Sequence, residues 1–340
     1  MIVSGLLASA HGAVPVLTCD NTDRGDAPLE EICALYHTDG DPTGGHRSQR
    51  ATLFADHDAS TFELDGADAS RICVIQQSDQ LRLAGVTGCV VWNGAVVLAK
   101  SLESWNALGI FNIAGRSVLE LGAGTGMLAV AAAMLGARVI ATEQEDRLKL
   151  LRRNIERHSE EGPDHWRTGD PWRIGRRGGS VNLFELDWFR PEDAPEVDLV
   201  LATDVVYTEE VTVALVRCLS FFTAPAILAV ELRTEEVHYA FVEELAAAGF
   251  TVHRLPPTLH AEGFQTKRVV IYILMKGTVD PSSVPGSCEQ AADGIWQQQP
   301  KDRLQEQQFP HSTSQGRKQM TMMEEDCDRD HDEDHACGAA

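Results

Sequence analysis

The residues best suited to ligand binding or catalysis lie where a hydrophobic run ends in an acid and then turns through three glycines. Residues 118–126 read Val-Leu-Glu-Leu-Gly-Ala-Gly-Thr-Gly, and Glu143 closes the next apolar run. Gly122 and Gly124 permit positive φ angles and a close approach of the backbone to a ligand. Glu143 follows Gly122 by 21 residues, where a carboxylate can accept both hydroxyls of a ribose. The pattern predicts a site for a ribose-containing ligand.

The loop differs from the glycine fingerprint of dinucleotide-binding proteins. That fingerprint places its third glycine three residues after the second, for tight helix–strand packing near a pyrophosphate. Here that position is Met127. The run from Met127 to Leu135 favours a helix that begins at the loop, so the turn should present free N–H groups to a ligand. On these residues alone, a generic strand-turn-helix unit with a tight turn is the alternative, since a glycine-rich loop is a weak signal.

Apolar strands and amphipathic helices alternate around this loop, and they must position it. The pattern predicts strands at 71–77, 117–121, 138–142, 181–186, 197–203 and 226–231, and helices at 93–103, 126–135, 146–158 and 235–248. Two β-rich segments, 251–254 and 268–275, predict a final hairpin. The fold class is therefore α/β, a mainly parallel sheet covered on both faces with an antiparallel ending. The ligand site should lie at the carboxyl ends of the strands.

Composition shifts along the chain predict three regions. Residues 1–60 mix Gly, Asp, Pro and His and are expected to form a loosely ordered extension, residues 61–276 the domain, and residues 277–340 a disordered acidic tail. His331 and His335 lie among acids in this tail, where a solvated segment is favoured over a metal site. Within the domain, the Gly-, Pro- and Arg-rich insert 159–180 is expected to be a surface loop.

The formal net charge of −22 disfavours broad electrostatic capture of nucleic acid or of an anionic membrane. The eight cysteines are scattered without a Cys-x-x-Cys pair, so neither a metal site nor a disulfide framework is indicated, and reduced thiols in the cytoplasm or nucleus are expected. No apolar run reaches the roughly 18 residues that span a membrane. The apolar start has no basic residue before Arg24, which favours a poorly ordered terminus over a secretory signal.

Four further motifs flank the glycine loop in chain order. They are Gly-Cys-Val-Val-Trp-Asn-Gly-Ala-Val-Val-Leu-Ala-Lys at 88–100, Leu-Asp-Trp at 186–188, Asp-Val-Val-Tyr at 204–207 and Glu-Leu-Arg-Thr at 231–234. Together with the loop, they resemble the family 16 (seven-β-strand) protein-lysine methyltransferases over residues 71–276. The resemblance implies a Rossmann-like class I methyltransferase fold with a seven-stranded sheet and S-adenosylmethionine as cofactor. It also implies a protein substrate, such as an AAA ATPase or another chaperone-like protein.

The resemblance assigns roles to single residues. Those expected at the cofactor are Trp92, Glu120, Gly122, Gly124, Glu143 and Trp188. Among them, Glu120 and Gly122 would lie near the methionine part, Glu143 would bind the ribose and Trp188 would flank the adenine. The expected catalytic residues, beside the methyl group, are Asp204 and Tyr207. The chain departs from the family at Asn93, where members often have Asp, and in the insert 159–180, which has no recognised counterpart.

The expected catalytic pair has a chemical rationale. A free lysine has a pKa near 10.4, so on the order of one in a thousand is neutral and nucleophilic at pH 7. Asp204 could accept an N–H from the amine, and Tyr207 could place its aromatic face or hydroxyl near the cation. The alternative is that Asp204 caps the following helix and Tyr207 only packs.

Two other functions stay open on the sequence. The first is a class I methyltransferase that acts on a small molecule or nucleic acid, although the chain lacks the Asn/Asp-Pro-Pro-Tyr motif of enzymes that methylate exocyclic base amines. The second is a non-catalytic relative that retains the cofactor fold, for which Asn93 leaves room. The favoured expectation is a monomeric protein-lysine methyltransferase with a protein substrate, no metal, no nucleic acid partner and no membrane partner.

Overall fold

The computed structural model describes residues 87–162 and 165–276, the backbone of three earlier strands, and residues 3, 4 and 6. All of them belong to one unit of the chain, Met1–Thr278. The predicted acidic tail 277–340 and most of the predicted extension 1–60 lie outside the described residues. The boundaries of these regions stay predictions.

Eleven strands are present in the described residues: β1 (Val14–Leu17), β2 (Ala59–Glu63), β3 (Arg71–Ile75), β4 (Ser117–Leu121), β5 (Arg138–Glu143), β6 (Trp172–Ile174), β7 (Gly179–Glu185), β8 (Leu199–Thr203), β9 (Ala226–Glu231), β10 (Phe250–Leu255) and β11 (Val269–Lys276). Nine of them form one sheet in the order β1-β10-β11-β9-β8-β4-β5-β7-β6, and β2 pairs with β3. The five central strands from β9 to β7 run parallel. The remaining sheet strands pair antiparallel.

This arrangement confirms the predicted α/β class, the mainly parallel sheet and the antiparallel C-terminal hairpin, formed by β10 and β11. The seven predicted strands of the core correspond to β4, β5 and β7 to β11, and β1 and β6 add one strand at each side. Because β5, β4, β8 and β9 are parallel and adjacent, the loops that follow them meet at one edge of the sheet.

Five α-helices cover the sheet in the described part of the chain: α1 (Asn93–Ala107), α2 (Met127–Met134), α3 (Leu148–Glu156), α4 (Glu209–Phe221) and α5 (Glu235–Ala247). Side chains alternate across each strand, so Val118 packs in the core beneath α1, α2 and α3, and Leu119 packs in the core beneath α4 and α5. None of these helices is both long and apolar enough to cross a membrane.

The insert 159–180 differs from the prediction of a surface loop. Trp172 and Ile174 are buried, Arg173 between them is exposed, and the three residues form β6 against β7. A strand of three residues is too short for its alternation of buried and exposed side chains to be recognised among Gly, Pro and Arg, so the sequence did not predict it.

A few residues of the predicted extension are described, and they contact the domain. Val3 and Leu6 are buried in the core, and β1 pairs with β10. Burial of apolar side chains in the core lowers the free energy of the folded state. The sequence of this region has no periodic pattern, so these contacts were not predicted.

Candidate functional site

A cavity of about 350 Å³ opens at the sheet edge where the parallel strands end. Its volume lies within the range of about 300 to 1,000 Å³ that is typical of small-molecule sites. Seven of the eight predicted site residues line it: Trp92, Gly122, Gly124, Glu143, Trp188, Asp204 and Tyr207. Glu120 is not part of the wall. The structure thus brings together residues that are up to 115 positions apart in the sequence.

The glycine loop keeps the backbone against the cavity. Gly122 and Gly124 have φ angles of +66° and +55°, a region that L side chains rarely adopt. A Cβ on Gly122 would lie 3.1 Å from Cγ1 of Val205 and 3.2 Å from Cζ2 of Trp188. Any side chain at this position would therefore push against two residues of the cavity wall.

Glu143 closes β5 and holds the loop. Its Oε1 accepts the N–H of Gly124 at 3.2 Å, and its Oε2 accepts the N–H of Gln144 at 2.9 Å. Burial raises the pKa of Glu143, although these hydrogen bonds and the charge of Arg147 counteract it in part. The sequence predicted free N–H groups in the turn, but the Gly124 N–H is already engaged by this carboxylate.

Glu120 lies behind the cavity wall as a buried acid, 2% exposed. Burial, and next the negative charge of Glu143, raise the pKa of Glu120 well above its usual range. Its Oε2 has no hydrogen-bond partner among the described residues. Buried polar atoms are nearly always paired, so this oxygen is one of the few exceptions in the described part of the chain.

Asp204 follows β8 and connects three elements. It is the single non-glycine residue with a positive φ, +55°, in the described part of the chain. Its Oδ2 accepts the N–H of Gly94 at 2.6 Å, and its Oδ1 accepts the N–H of Glu231 at 2.9 Å. The side chain is 1% exposed. Asp204 thus fixes the start of α1 to the ends of β8 and β9, a contact that we call the Asp204 staple.

The alternative that Asp204 caps the following helix is wrong, because Thr208 caps α4 by accepting the N–H of Val211. Burial raises the pKa of Asp204 to about 6, while the charge of Arg233 acts in the opposite direction. A carboxylate can accept more than two hydrogen bonds. Contact of Asp204 with a reacting amine therefore stays a prediction.

Arg233, two residues past β9, forms the end of the cavity next to Asp204. Its guanidinium carbon lies 4.2 Å from the centre of the Trp92 ring, and its Nη2 lies 2.7 Å from Oε2 of Glu231 and 3.8 Å from Oδ1 of Asp204. The Trp92 indole N–H is occupied by the carbonyl of Thr87 at 2.9 Å. Stacking and pairing together hold the cation in one place.

The departure at Asn93 has a local reason. The Asn93 side-chain amide donates to Oε1 of Glu231 at 2.9 Å, and Arg268 donates to the same oxygen at 2.8 Å. An Asp at position 93 would place a second carboxylate against Glu231 in a buried setting. The amide instead satisfies Glu231 without adding charge.

The rim of the cavity is aromatic and partly exposed. Tyr207 is 38% exposed and Phe189 is 51% exposed, and Glu210 of α4 lines the same cavity. Sequence reasoning assigned no role to Arg147, Glu210 or Arg233. Arg233 could have been found, because it lies in a quoted motif and directly after a parallel strand. In the described part of the chain, no group of three or more His, Cys, Asp or Glu side chains could hold a metal ion.

Sheet order arranges these features along the cavity. From β7 through β5 and β4 to β8 and β9, the wall presents Trp188, then Glu143, then the glycine loop, then Asp204 and finally Arg233. One end can hold a flat ring, the middle can bind hydroxyl and amino groups, and the other end carries the partly exposed Tyr207. The arrangement suits one elongated ligand and a second reactant that enters past Tyr207.

The chain is similar in sequence to known lysine methyltransferases. The model of the lysine methyltransferase family matches residues 75–247. Protein N-lysine methyltransferase METTL21A of Danio rerio is 35% identical over 153 residues, 44% of this chain and 62% of that protein. Protein-lysine N-methyltransferase EEF2KMT of Mus musculus is 28% identical over 197 residues, 54% of this chain and 56% of that protein. The matched part thus spans little more than half of these relatives' length.

Among solved structures, the 16S rRNA N2 G1207 methyltransferase RsmC of T. thermophilus, in complex with AdoMet and guanosine, is 13% identical with a TM-score of 0.41. The match covers 64% of this chain and 50% of that one.

Proposed function

Because this chain belongs to the lysine methyltransferase family, we propose that it transfers a methyl group from S-adenosylmethionine to a lysine side chain of a protein substrate. The main support is that one cavity joins the glycine loop and Glu143 to the aromatic side chains of Trp92 and the partly exposed Tyr207. A lysine side chain is long and thin, so it can reach a buried methyl group past Tyr207.

S-adenosylmethionine is the cofactor of this family, and the residues of the cavity fit it. The backbone of Gly122 would approach its methionine part closely, and Glu120 would lie near this part, behind the wall. Glu143 would hold the ribose hydroxyls, and Trp188 would lie against the adenine. When bound, this cofactor supplies an electrophilic methyl group on a sulfonium.

The residues at the Tyr207 end would position the amine. Tyr207 provides a flat surface for the aliphatic part of a lysine, and the Asp204 staple fixes the wall beside it. Methyl transfer is an in-line displacement, so an amine held about 3 to 3.5 Å from the methyl carbon gains much of the rate from orientation. A closed wall also keeps competing water away from the reacting atoms.

The test is methyl incorporation from a labelled cofactor into a cell extract. We expect label in protein, released as methyl-lysine after acid hydrolysis. Label in a nucleic acid or metabolite fraction would show that the acceptor class is wrong. Absence of label from all fractions, while the cofactor still binds, would show a non-catalytic relative.

We also propose an AAA ATPase or another chaperone-like protein as the substrate. The support is the combined likeness of the glycine loop and its four flanking motifs to the enzyme that methylates the AAA ATPase valosin-containing protein. Mass spectrometry of the labelled protein identifies both the substrate and the modified lysine, and a substrate without chaperone-like activity would contradict this narrower proposal.

Glu143→Ala is expected to weaken S-adenosylmethionine binding at least about tenfold, because charge-assisted hydrogen bonds to two hydroxyls contribute roughly 1.5 to 3 kcal/mol. Isothermal titration calorimetry measures the affinity, and circular dichroism checks that the fold survives. Glu145→Ala is the matched control, since Glu145 is an exposed acid two positions away and outside the cavity wall. Equal affinities of the two variants would refute the ribose contact.

A further inference from the structure

Arg233 is a cation at the place where a lysine would enter. Its side chain is 33% exposed and lines the cavity, whereas its closest counter-ion, Glu231, is 5% exposed and outside the wall of this cavity. An amine that approaches past Tyr207 therefore meets the guanidinium before it meets the carboxylate of Glu231. For an enzyme that binds lysine, a fixed positive charge at this end needs an explanation.

Glu210, which lines the same cavity, adds a carboxylate to the charges around Arg233. Asp204 and Glu231 balance Arg233 and Arg268, and Asn93 adds no charge where Asp would have made the cluster net negative. The Asp204 carboxylate is oriented toward two backbone N–H groups, which neutralise part of its field. Arg233 is thus the cation at this end of the cavity wall, where it is opposed by the carboxylates of Asp204 and Glu210.

Resting on the proposed function, we propose that Arg233 disfavours the ammonium form of the acceptor lysine, so that a larger fraction of the bound amine is neutral beside the methyl-bearing end of the cavity. A nearby cation lowers the pKa of an amine because it raises the free energy of the charged form. The ammonium loses its proton to water. The neutral nitrogen then forms the N–C bond as the S–C bond breaks, and the products are a methylated ammonium and a thioether.

Each element around this position contributes to the field that the amine would experience. The titratable or charged groups are Asp204 and Tyr207 after β8, Glu210 on α4, Glu231 and Arg233 at the end of β9, His238 on α5 and Arg268 before β11. The start of α1 contributes the uncharged Trp92 and Asn93. Burial, and next the charge of Arg254, lower the pKa of His238 to about 4, so this imidazole is neutral at physiological pH.

The test measures the pKa of an amine in the site without turnover. The probe is ¹⁵N-labelled n-butylamine, which has the amine and four carbons of a lysine side chain, bound to protein saturated with S-adenosylhomocysteine. Its ¹⁵N chemical shift against pH gives the bound pKa. In the unmodified protein we expect a bound pKa about one unit below that in the variant that lacks the Arg233 charge.

Arg233→Gln is expected to raise the bound pKa by about one unit, whereas Arg233→Lys, which keeps the charge, should retain the low value. Arg153→Gln is the control for net charge, because Arg153 is an exposed arginine on α3 outside the cavity wall. Cofactor affinity, measured by calorimetry, should be the same in all four proteins. An unshifted pKa in Arg233→Gln, or failure of butylamine to bind, overturns the proposal.

A kinetic signature applies once the protein substrate has been labelled. Arg233→Gln should bind the ammonium more tightly but unproductively, so kcat and KM at pH 7 should fall by the same factor of about ten, with kcat/KM nearly unchanged. At high pH, kcat should approach the unmodified value. A purely structural role would lower kcat at every pH. If label enters a metabolite instead of protein, the proposed function fails, yet the butylamine titration still decides the role of Arg233.

Discussion

Replacing Asp204 with alanine is expected to lower the free energy of unfolding by about 2 to 5 kcal/mol, because the variant leaves two buried N–H groups without an acceptor. These are the backbone N–H groups of Gly94 and Glu231, which both donate to the Asp204 carboxylate. The rate of methyl transfer at saturating cofactor should fall on the order of a hundredfold, since the start of α1 carries Trp92 and a shift of about 1 Å misplaces the reactants. Chemical denaturation and single-turnover methylation measure the two effects.

Asp198→Ala is the matched control. Asp198 accepts the N–H of Ser117 at 2.9 Å, but this bond is exposed and lies at the opposite end of β4. Its loss should cost less than about 1 kcal/mol, since water replaces the missing acceptor. If Asp204→Ala destabilises no more than Asp198→Ala, the staple does not hold α1. If it destabilises the fold but leaves the methylation rate intact, Asp204 has no part in positioning the reactants.

The pH dependence of stability gives a separate test of Asp204. Burial raises the pKa of this carboxyl to about 6 in the folded protein, whereas an unfolded Asp titrates near 3.9. Between these values the folded state binds more protons, so the Asp204 contribution to stability is greatest below about pH 4 and is lost as pH rises through 6. Relative to Asp204→Asn, the unmodified protein should lose about 3 kcal/mol across this window.

Gly94→Ala is the second substitution with a large expected effect. It should destabilise the protein, although helix propensity alone predicts stabilisation. Alanine is normally better than glycine within a helix by about 1 kcal/mol. Here the added Cβ would lie 2.6 Å from Oδ2 of Asp204 and 3.0 Å from the carbonyl oxygen of Ala229. We therefore expect a loss of about 2 to 3 kcal/mol, as is typical of overpacking, together with slower methyl transfer.

A double-mutant cycle between Gly94→Ala and Asp204→Ala tests whether both act through the same contact. With the carboxylate removed, the new methyl group has more room, so the cost of Gly94→Ala should shrink by at least about 1 kcal/mol. Simple additivity of the two free-energy changes would show that the contact between the residues is not what destabilises either variant.

Local patterns predicted the parallel core well. The strands β4 and β9 have the predicted bounds, 117–121 and 226–231, because each is a short buried apolar run that ends in a polar or glycine-rich turn. The same patterns placed the glycine loop and Glu143 at strand ends, and the structure joins them in one cavity.

Contacts between distant segments could not be predicted in this way. The Asp204 staple links residues 110 positions apart. Its partner atoms are backbone N–H groups, and the residue type does not indicate which N–H group will donate. The stacking of Arg233 on Trp92 likewise depends on sheet order, which brings β9 next to the start of α1. Residue types indicated which groups could react. Contacts between distant segments determine which of these groups already have a hydrogen-bond or stacking partner.

The two outermost strands of the sheet, β6 and β1, affect how the molecule behaves toward other copies of itself. They are three and four residues long, and each lies beside a longer strand, β7 or β10, whose backbone would otherwise be open for pairing. Within β1 the register shifts between Pro15 and Leu17, and Pro15 lacks an N–H to donate. Short, irregular edges of this kind are poor templates for edge-to-edge aggregation, so these additions protect the solubility of a sheet whose long strands are rich in apolar residues.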